Sequence, residues 1–270
     1  MKTRVITAVV GALAVLGLVY LGGWFLTAAV FIVSLISLAE YARMMKHIQI
    51  HIYAGPAAVA QFLMIGAAGF YSLRLFIAAI FVAFMAMLLP VLTVKKEHMQ
   101  ALIYTVFGGL YFGIGFGALA YLRGTRELIH ATSVAIEPGI FLILFTLIGT
   151  WAGDSFALLV GRKFGAHKMA PHISPNKTVE GLLGGIAGTV ILCTALAAAL
   201  RFHVGTAFAM SLVVAVLAPM GDLVESYIKR ACDIKDSGNI LPGHGGMMDR
   251  FDSLLFAAPS VVAFLVLVMR

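Results

Sequence analysis

Residues 1–20, MKTRVITAVVGALAVLGLVY, place two basic residues in front of a long apolar run. A secretory signal peptide begins in the same way, so the segment has two interpretations. The run is long enough to cross a bilayer, and further apolar runs follow it along the chain. We therefore expect residues 5–21 to form a retained first membrane helix.

The composition of the whole chain extends this interpretation. Of its 270 residues, 61% are hydrophobic and only 11% are charged, whereas about 25% are charged in an ordinary soluble domain. The mean hydropathy is +1.02. Although the net charge is +7, the basic residues fall in short loops between apolar runs, as membrane insertion requires. We expect an integral membrane protein that does not bind nucleic acid.

Apolar runs between charged or Gly/Pro-marked breaks predict about nine transmembrane helices. The fold class is therefore an all-α polytopic integral membrane protein. The predicted helices cover roughly residues 5–21, 24–42, 52–71, 74–94, 100–122, 136–160, 181–200, 205–228 and 251–269.

Lysine and arginine predict the orientation of these helices. If the N-terminus is cytoplasmic, alternating loops put 14 of the 19 basic residues on the cytoplasmic side, which is the bias that insertion favours. The C-terminus then lies outside. Eight of the twelve acidic residues follow residue 150, so we expect residues 1–135 to be a scaffold without a catalytic role and residues 136–270 to carry the chemistry.

Four polar residues near the end of the eighth predicted helix share one face. Asp222, Glu225, Ser226 and Lys229 are spaced at i, i+3, i+4 and i+7, which aligns them on a helix. One interpretation is a solvated helix end in which Glu225 and Lys229 form an ordinary ion pair. Asp222 is harder to explain in that way, because carboxylates within a membrane are costly and usually functional.

A glycine-rich loop, ACDIKDSGNILPGHGG at residues 231–246, follows this stripe. Beyond it, Asp249, Asp252 and Ser253 are predicted to share a face at the start of the last helix. Magnesium binds one or two carboxylates together with substrate phosphates, and glycine amides can turn toward an anion. The candidate phosphate ligands are the amides of Gly243, Gly245 and Gly246 and the side chains of Lys229, Arg230, Lys235, His244 and Arg250.

The loop before the seventh helix contributes further cations. Ser174 and Pro175 predict a helix cap and first helical residue, which puts Lys177 in the first turn, where anions bind. Topology alone explains Arg162, Lys163 and Lys168.

Asp154 is predicted about six residues inside the end of the sixth helix, roughly 9 Å deep. It is either a third carboxylate for metal or substrate, or a structural acid paired with a loop cation.

Residues 226–252 resemble the signature of the phosphatidate cytidylyltransferases, or CDP-diacylglycerol synthases. The matching elements are Ser226, Lys229-Arg230, Lys235-Asp236, Pro242 to Gly246, Asp249-Arg250 and Asp252. SPNKTVEG at 174–181 and WAGDSFA at 151–157 are similar to two other segments of the family.

The resemblance implies a magnesium-dependent reaction in which phosphatidic acid attacks the α-phosphate of CTP and pyrophosphate leaves. In that scheme Asp222 and Asp249 hold the divalent ion, with Asp154 as a further candidate and a monovalent cation such as potassium beside it. The catalytic residues that the resemblance implies are Asp222, Asp249, Lys229 and His244. Substrate binding falls to Ser174, Lys177, Ser226, Arg230, Lys235, Asp236, Gly243, Gly245, Gly246 and Arg250.

The same resemblance implies the setting of the enzyme. It favours the inner membrane of a bacterium, a site that faces the cytoplasm and lipid entry from the side, and it allows a homodimer. Three alternatives stay open: a transporter or channel, a CDP-alcohol phosphotransferase and a lipid kinase. The polar residues lie at one membrane face rather than near its midplane, which disfavours a transporter. No GxxxxGK[ST] loop supports a nucleotide kinase.

Overall fold

The computed structural model describes residues 2–92, 99–126, 136–240 and 245–268. Helices dominate these residues, and a two-stranded antiparallel sheet interrupts them once. The elements are α1 Lys2–Leu21, α2 Gly23–His47, α3 Ala54–Ala68, α4 Leu73–Leu88 followed by a 3-10 turn Leu89–Leu92, α5 Met99–Arg123, α6 Pro138–Phe164, β1 Lys168–Ala170, β2 Ser174–Thr178, α7 Val179–Ala199, α8 Val204–Ala231, α9 Met248–Phe251 and α10 Leu254–Val268.

The predicted class, an all-α membrane protein, is confirmed. Each of the nine predicted segments contains a helix within the described residues, and seven helical stretches are long and apolar enough to cross a membrane. The apolar part of α1, Val9–Leu21, and α3 are shorter. Many large apolar side chains point outward, Leu13, Phe25 and Phe81 among them, which suits a lipid environment.

The chain forms two compact units, and the first comprises Met1–Gly124 and Lys229–Phe251. Within it α5 packs against α2, α3 and α4. Glycine permits the close approach: a Cβ on Gly113 would lie 2.0 Å from the Met64 methyl carbon. Small residues bring membrane helices together in this way because lipid gives them no hydrophobic drive to associate. The ring centroids of Phe116 and Phe251 are 5.4 Å apart, so α9 packs against α5.

The second unit comprises Thr125–Ile228 and Asp252–Arg270. Its centre is the pair α6 and α7, where a Cβ on Gly181 would lie 2.8 Å from the Ala157 carbonyl oxygen. The Thr189 hydroxyl donates to the carbonyl oxygen of Gly149 at 2.9 Å and joins the same two helices. The sheet β1–β2 lies in the connection between them.

These compact units divide the chain differently from the predicted boundary at residue 135. Residues 229–251, which include the described part of the glycine-rich loop, belong with the N-terminal helices. The prediction concerned function, scaffold against catalytic part, and in that sense it stays a prediction.

Two local predictions are wrong. Ser174 and Pro175 do not start α7, because they lie on β2, and the helix is capped instead by the Thr178 hydroxyl, which accepts the Gly181 amide at 3.1 Å. Lys177 therefore lies on a strand, one residue before the cap. Asp249, Asp252 and Ser253 do not share one helix face, because the helix breaks between α9 and α10, where the Asp252 carboxylate accepts the Ser253 amide at 2.6 Å.

Candidate active site

Asp249 is the centre of the first group of signature residues. Its Oδ1 lies 2.6 Å from the Lys229 ammonium. Its Oδ2 accepts the Gly246 amide at 2.8 Å, and both the amide and the hydroxyl of Ser237 at 3.0 Å. The helix α8 supplies Lys229 and the short helix α9 supplies Asp249, so the pair joins the two ends of the loop. Both side chains are buried, at 11% and 5% exposure.

A residue of the N-terminal half holds the same loop. Glu40, on α2, is fully buried. Its Oε1 accepts the Met247 amide at 2.9 Å, and its Oε2 accepts the Met248 amide at 2.9 Å and the Ser237 hydroxyl at 3.1 Å. The sequence analysis assigned this half no catalytic role and missed Glu40. The signal that could have found it is a single acid inside an apolar helix. A charge at such a place is energetically costly, and proteins usually keep it for a function.

Glycines let these carboxylates approach the backbone. Gly245 has a φ of 83°, and a Cβ there would lie 2.8 Å from Asp249 Oδ2. A Cβ on Gly246 would lie 2.1 Å from the Ser237 hydroxyl oxygen. The Gly246 amide, predicted to bind phosphate, donates to the Asp249 carboxylate, because an inward-turned amide attracts any nearby anion. Gly243 and His244 lie outside the described residues.

Asp222 is the centre of the second group, within the second unit. Its Oδ2 lies 2.6 Å from the Lys177 ammonium, and its Oδ1 accepts the Ser226 hydroxyl at 3.2 Å. The predicted polar face of α8 is therefore confirmed for Asp222 and Ser226. The strand β2 delivers Lys177 to this face, although the sequence predicted a helix turn. The side chains of the pair are about one-quarter exposed, although the ammonium nitrogen of Lys177 itself is buried.

A cavity of about 650 Å³ adjoins this pair. Both charged and apolar residues line it, as suits a ligand with a charged and a hydrocarbon part. The polar side chains are Asp154, Arg162, Asn176, Lys177, Thr178 and Asp222, and the apolar residues include Ala157, Leu158, Met169, Leu182 and Pro219.

Asp154 lies deeper in its helix than predicted. Because α6 continues to Phe164, Asp154 is ten residues from its end, or about 15 Å along the axis. Its side chain is exposed toward the cavity that Asp222 also lines. This placement brings two carboxylates to one cavity.

The remaining predicted residues, except Ser174, lie at the surface of the first unit. Arg230 donates to the Ile234 carbonyl oxygen at 2.8 Å, beyond the end of α8. Lys235, Asp236 and Arg250 are exposed. Ser174, the first residue of β2, is half-buried and is not part of the cavity wall.

The donor set fits a magnesium ion. The described residues contain no group of three or more His, Cys, Asp or Glu side chains that could hold a metal by themselves. Magnesium does not need one, since it usually binds one or two carboxylates and completes its shell with phosphate oxygens and water. Asp154 and Asp222 offer two such carboxylates on one cavity. Two donors of the chain, Lys177 and Ser226, engage Asp222, whereas four donor groups engage the more deeply buried Asp249.

Comparison with known proteins gives one consistent result. A family model described as the cytidylyltransferase family matches residues 2–268. A phosphatidate cytidylyltransferase of Bacillus subtilis is 32% identical over an alignment of 274 residues that covers 99% of this chain and 98% of that protein. Proteins of the same name from Staphylococcus haemolyticus and Staphylococcus epidermidis are 32% and 33% identical, each over 96% of both chains.

Proposed function

Because the chain belongs to the cytidylyltransferase family and is a nucleotidyltransferase, we propose that it makes CDP-diacylglycerol from CTP and phosphatidic acid. The observation that carries this proposal is the cavity beside Lys177 and Asp222. It joins cationic and acidic side chains to an apolar wall, and phosphatidic acid has both a phosphate and hydrocarbon chains. The product belongs to phospholipid biosynthesis.

The reaction exchanges one phosphorus–oxygen bond for another. A phosphate oxygen of phosphatidic acid attacks the α-phosphorus of CTP, the bond between the α-phosphorus and its bridging oxygen breaks, and pyrophosphate leaves. Such chemistry depends on positioning and charge neutralisation more than on a covalent nucleophile. A magnesium ion, when bound, supplies part of that neutralisation.

The side chains of the cavity have distinct parts in this scheme. Asp222 and Asp154 are the carboxylates that would hold magnesium beside substrate phosphates, and Lys177 exchanges its partner Asp222 for a phosphate oxygen. The partial exposure of this ion pair favours the exchange, because solvent weakens the attraction of such pairs. Ser226 fixes the rotamer of Asp222 through its hydroxyl.

The loop of the first unit contributes cations and amides. Lys229 and Asp249 are a proposed catalytic pair, and Asp249 is a further proposed magnesium ligand. Lys229 donates to Asp249 Oδ1 and Ser237 donates to its Oδ2, so these donors would compete with a bound cation for the carboxylate. Phosphate binding is proposed for Arg230, Lys235, His244, Arg250 and the loop glycines. Ser174 and Asp236 are the remaining proposed substrate-binding residues.

We also propose how the chain is arranged in the membrane. The chain is an integral membrane protein of several apolar helices, and we place it in a bacterial inner membrane, with nine spans, a cytoplasmic N-terminus and a cytoplasmic site. A potassium ion beside magnesium and a homodimer are further parts of the proposal. Assays in potassium against sodium salts test the first, and the mass of the detergent-solubilised protein tests the second.

One assay tests the function. Purified protein in detergent is given labelled CTP, phosphatidic acid and magnesium, and the lipid extract is searched for a cytidine nucleotide. We expect lipid-linked label and pyrophosphate release that needs both substrates and stops with a chelator. Diacylglycerol in place of phosphatidic acid is the matched control, because it lacks the attacking phosphate. Label transfer that is equal for the two lipids, or none from phosphatidic acid, would refute the proposal.

A further inference from the structure

We infer that Glu40 is a positioning residue, which holds the glycine-rich loop so that Lys229 and Asp249 keep their geometry. Glu40 belongs to the half of the sequence that carries no signature residue. Its carboxylate is fully buried, and within the described parts of the chain no cation forms an ion pair with it. A buried charge of this kind is costly unless hydrogen bonds satisfy it.

Among the described residues, the donors to Glu40 lie in the glycine-rich loop and directly after it. These donors are the amides of Met247 and Met248 and the hydroxyl of Ser237. All three are about 200 residues away along the sequence, so the carboxylate does not serve its own helix. Its role is to bind Ser237 and the start of α9 to α2.

Ser237 connects Glu40 to Asp249. Its hydroxyl oxygen lies 3.1 Å from Glu40 Oε2 and 3.0 Å from Asp249 Oδ2. A hydroxyl has one proton, so it donates to one of these carboxylates at a time. A change at Glu40 therefore alters the hydrogen bonding of Asp249, which in turn holds Lys229 at 2.6 Å.

The backbone at Gly238 and Gly246 packs closely against the Glu40 carboxylate. A Cβ on Gly238 would lie 2.6 Å from Glu40 Oε1, and one on Gly246 would lie 2.6 Å from Glu40 Oε2. Glycine at both positions lets the loop close over the carboxylate. An amide nitrogen in place of either oxygen would face a donor of the loop, so glutamine cannot reproduce the contacts.

Glu40→Gln tests the inference, with Ser37→Ala as the matched control. Ser37 is equally buried on α2, but its hydroxyl donates to the Val33 carbonyl oxygen of its own helix. Hydrogen–deuterium exchange is measured on the peptide that covers residues 245–251 and on a peptide of α5. We expect faster exchange of the loop in Glu40→Gln, with α5 unchanged, and no loop effect in Ser37→Ala.

Kinetics supply a second measurement, which rests on the proposed function. Because loss of hydrogen bonds to a charged group weakens positioning, we expect kcat to fall about 10- to 100-fold. The KM for CTP should change far less. Ser237→Ala should give a smaller loss. In the double variant the losses should not add, because both changes remove one shared contact.

The outcomes separate the two proposals. Wild-type protein that makes no CDP-diacylglycerol refutes the proposed function, but the exchange of the loop still tests Glu40. Unchanged loop exchange in Glu40→Gln overturns the inference, and so do additive kinetic losses with Ser237→Ala. If Glu40→Gln fails to fold, Ser237→Ala alone decides: loop exchange and kcat equal to wild type would overturn the inference.

Discussion

Two lysine–aspartate pairs, each 2.6 Å long, differ in their surroundings. Lys229 and Asp249 are 11% and 5% exposed, and donors of the loop also bind the Asp249 carboxylate. Lys177 and Asp222 are 26% and 27% exposed beside a cavity. Breaking a buried pair leaves an uncompensated charge and costs about 3–5 kcal/mol, while a partly exposed pair contributes at most about 1 kcal/mol. The same chemistry thus builds a fixed structure in one unit and an exchangeable contact in the other.

Asp249→Asn should have the largest effect, because it removes a charge that holds a buried lysine and three loop donors. We expect loss of CDP-diacylglycerol formation together with a clear fall in thermal stability, since about 3–5 kcal/mol is at stake. The assay and thermal unfolding in detergent measure both. Wild-type stability of Asp249→Asn would contradict the proposed difference between the two pairs, because the buried pair would then behave like an exposed one.

Asp222→Asn should abolish activity with little loss of stability. It removes a proposed metal ligand and the partner of Lys177 from the cavity, yet the Lys177 side chain is 26% exposed there. In the double variant with Asp249→Asn, activity should be no worse than in the worse single variant, as for groups that serve one step. Near-normal turnover would remove Asp222 from the proposed metal site, with Asp154 as the next candidate. A partial rescue at higher magnesium would support the metal role.

Lys177→Ala should have a smaller effect, confined to kinetics. We expect a raised KM for CTP or phosphatidic acid, a lowered kcat, or both, because the cavity loses a cation. The free energy of unfolding should change by less than about 1 kcal/mol. Lys168→Ala on β1 is the control, since its side chain is exposed and is not part of the cavity wall. Equal kinetics in the two variants would show that Lys177 serves topology alone.

The predicted topology is tested by chemical labelling, and no change in activity is expected. Single cysteines that replace Lys177 or His244, in a chain without Cys193 and Cys232, should resist membrane-impermeant thiol reagents in intact cells. Both native thiols are buried. Burial and the nearby Asp233 raise the pKa of the Cys232 thiol, which leaves less of the reactive thiolate at neutral pH. Rapid labelling from outside would place the loops on the wrong side for a cytoplasmic site.

The structural features that the sequence predicted correctly depend on residues that are close together along the chain. Helix positions follow from apolar runs, and the alignment of Asp222 with Ser226 follows from helical spacing. The start of α7 was mispredicted because Ser174-Pro175 and Thr178 are both plausible caps, and only the pairing of β1 with β2 decides between them. The break at Asp252 and Ser253 has no proline or glycine to mark it.

Glu40 was missed for a different physical reason. Its partners are about 200 residues away, so no local pattern connects it to them. A buried acid in an apolar helix is a visible anomaly, but its purpose depends on long-range packing. The roles assigned to the signature residues stay predictions, although Lys229 and Asp249 do meet, as do Lys177 and Asp222.

The glycines that line the cavity restrict how its size can evolve. A Cβ on Gly185 would lie 2.8 Å from the Gly153 carbonyl oxygen, and one on Gly181 equally close to that of Ala157. This part of the wall is backbone, so it has no side chain to trim and cannot be widened by substitution. Under the proposed function, a shift in acyl-chain preference is expected from the large apolar side chains of the lining, Leu158, Met169 and Leu182. Directed evolution of altered lipid scope should therefore begin with libraries at these three positions.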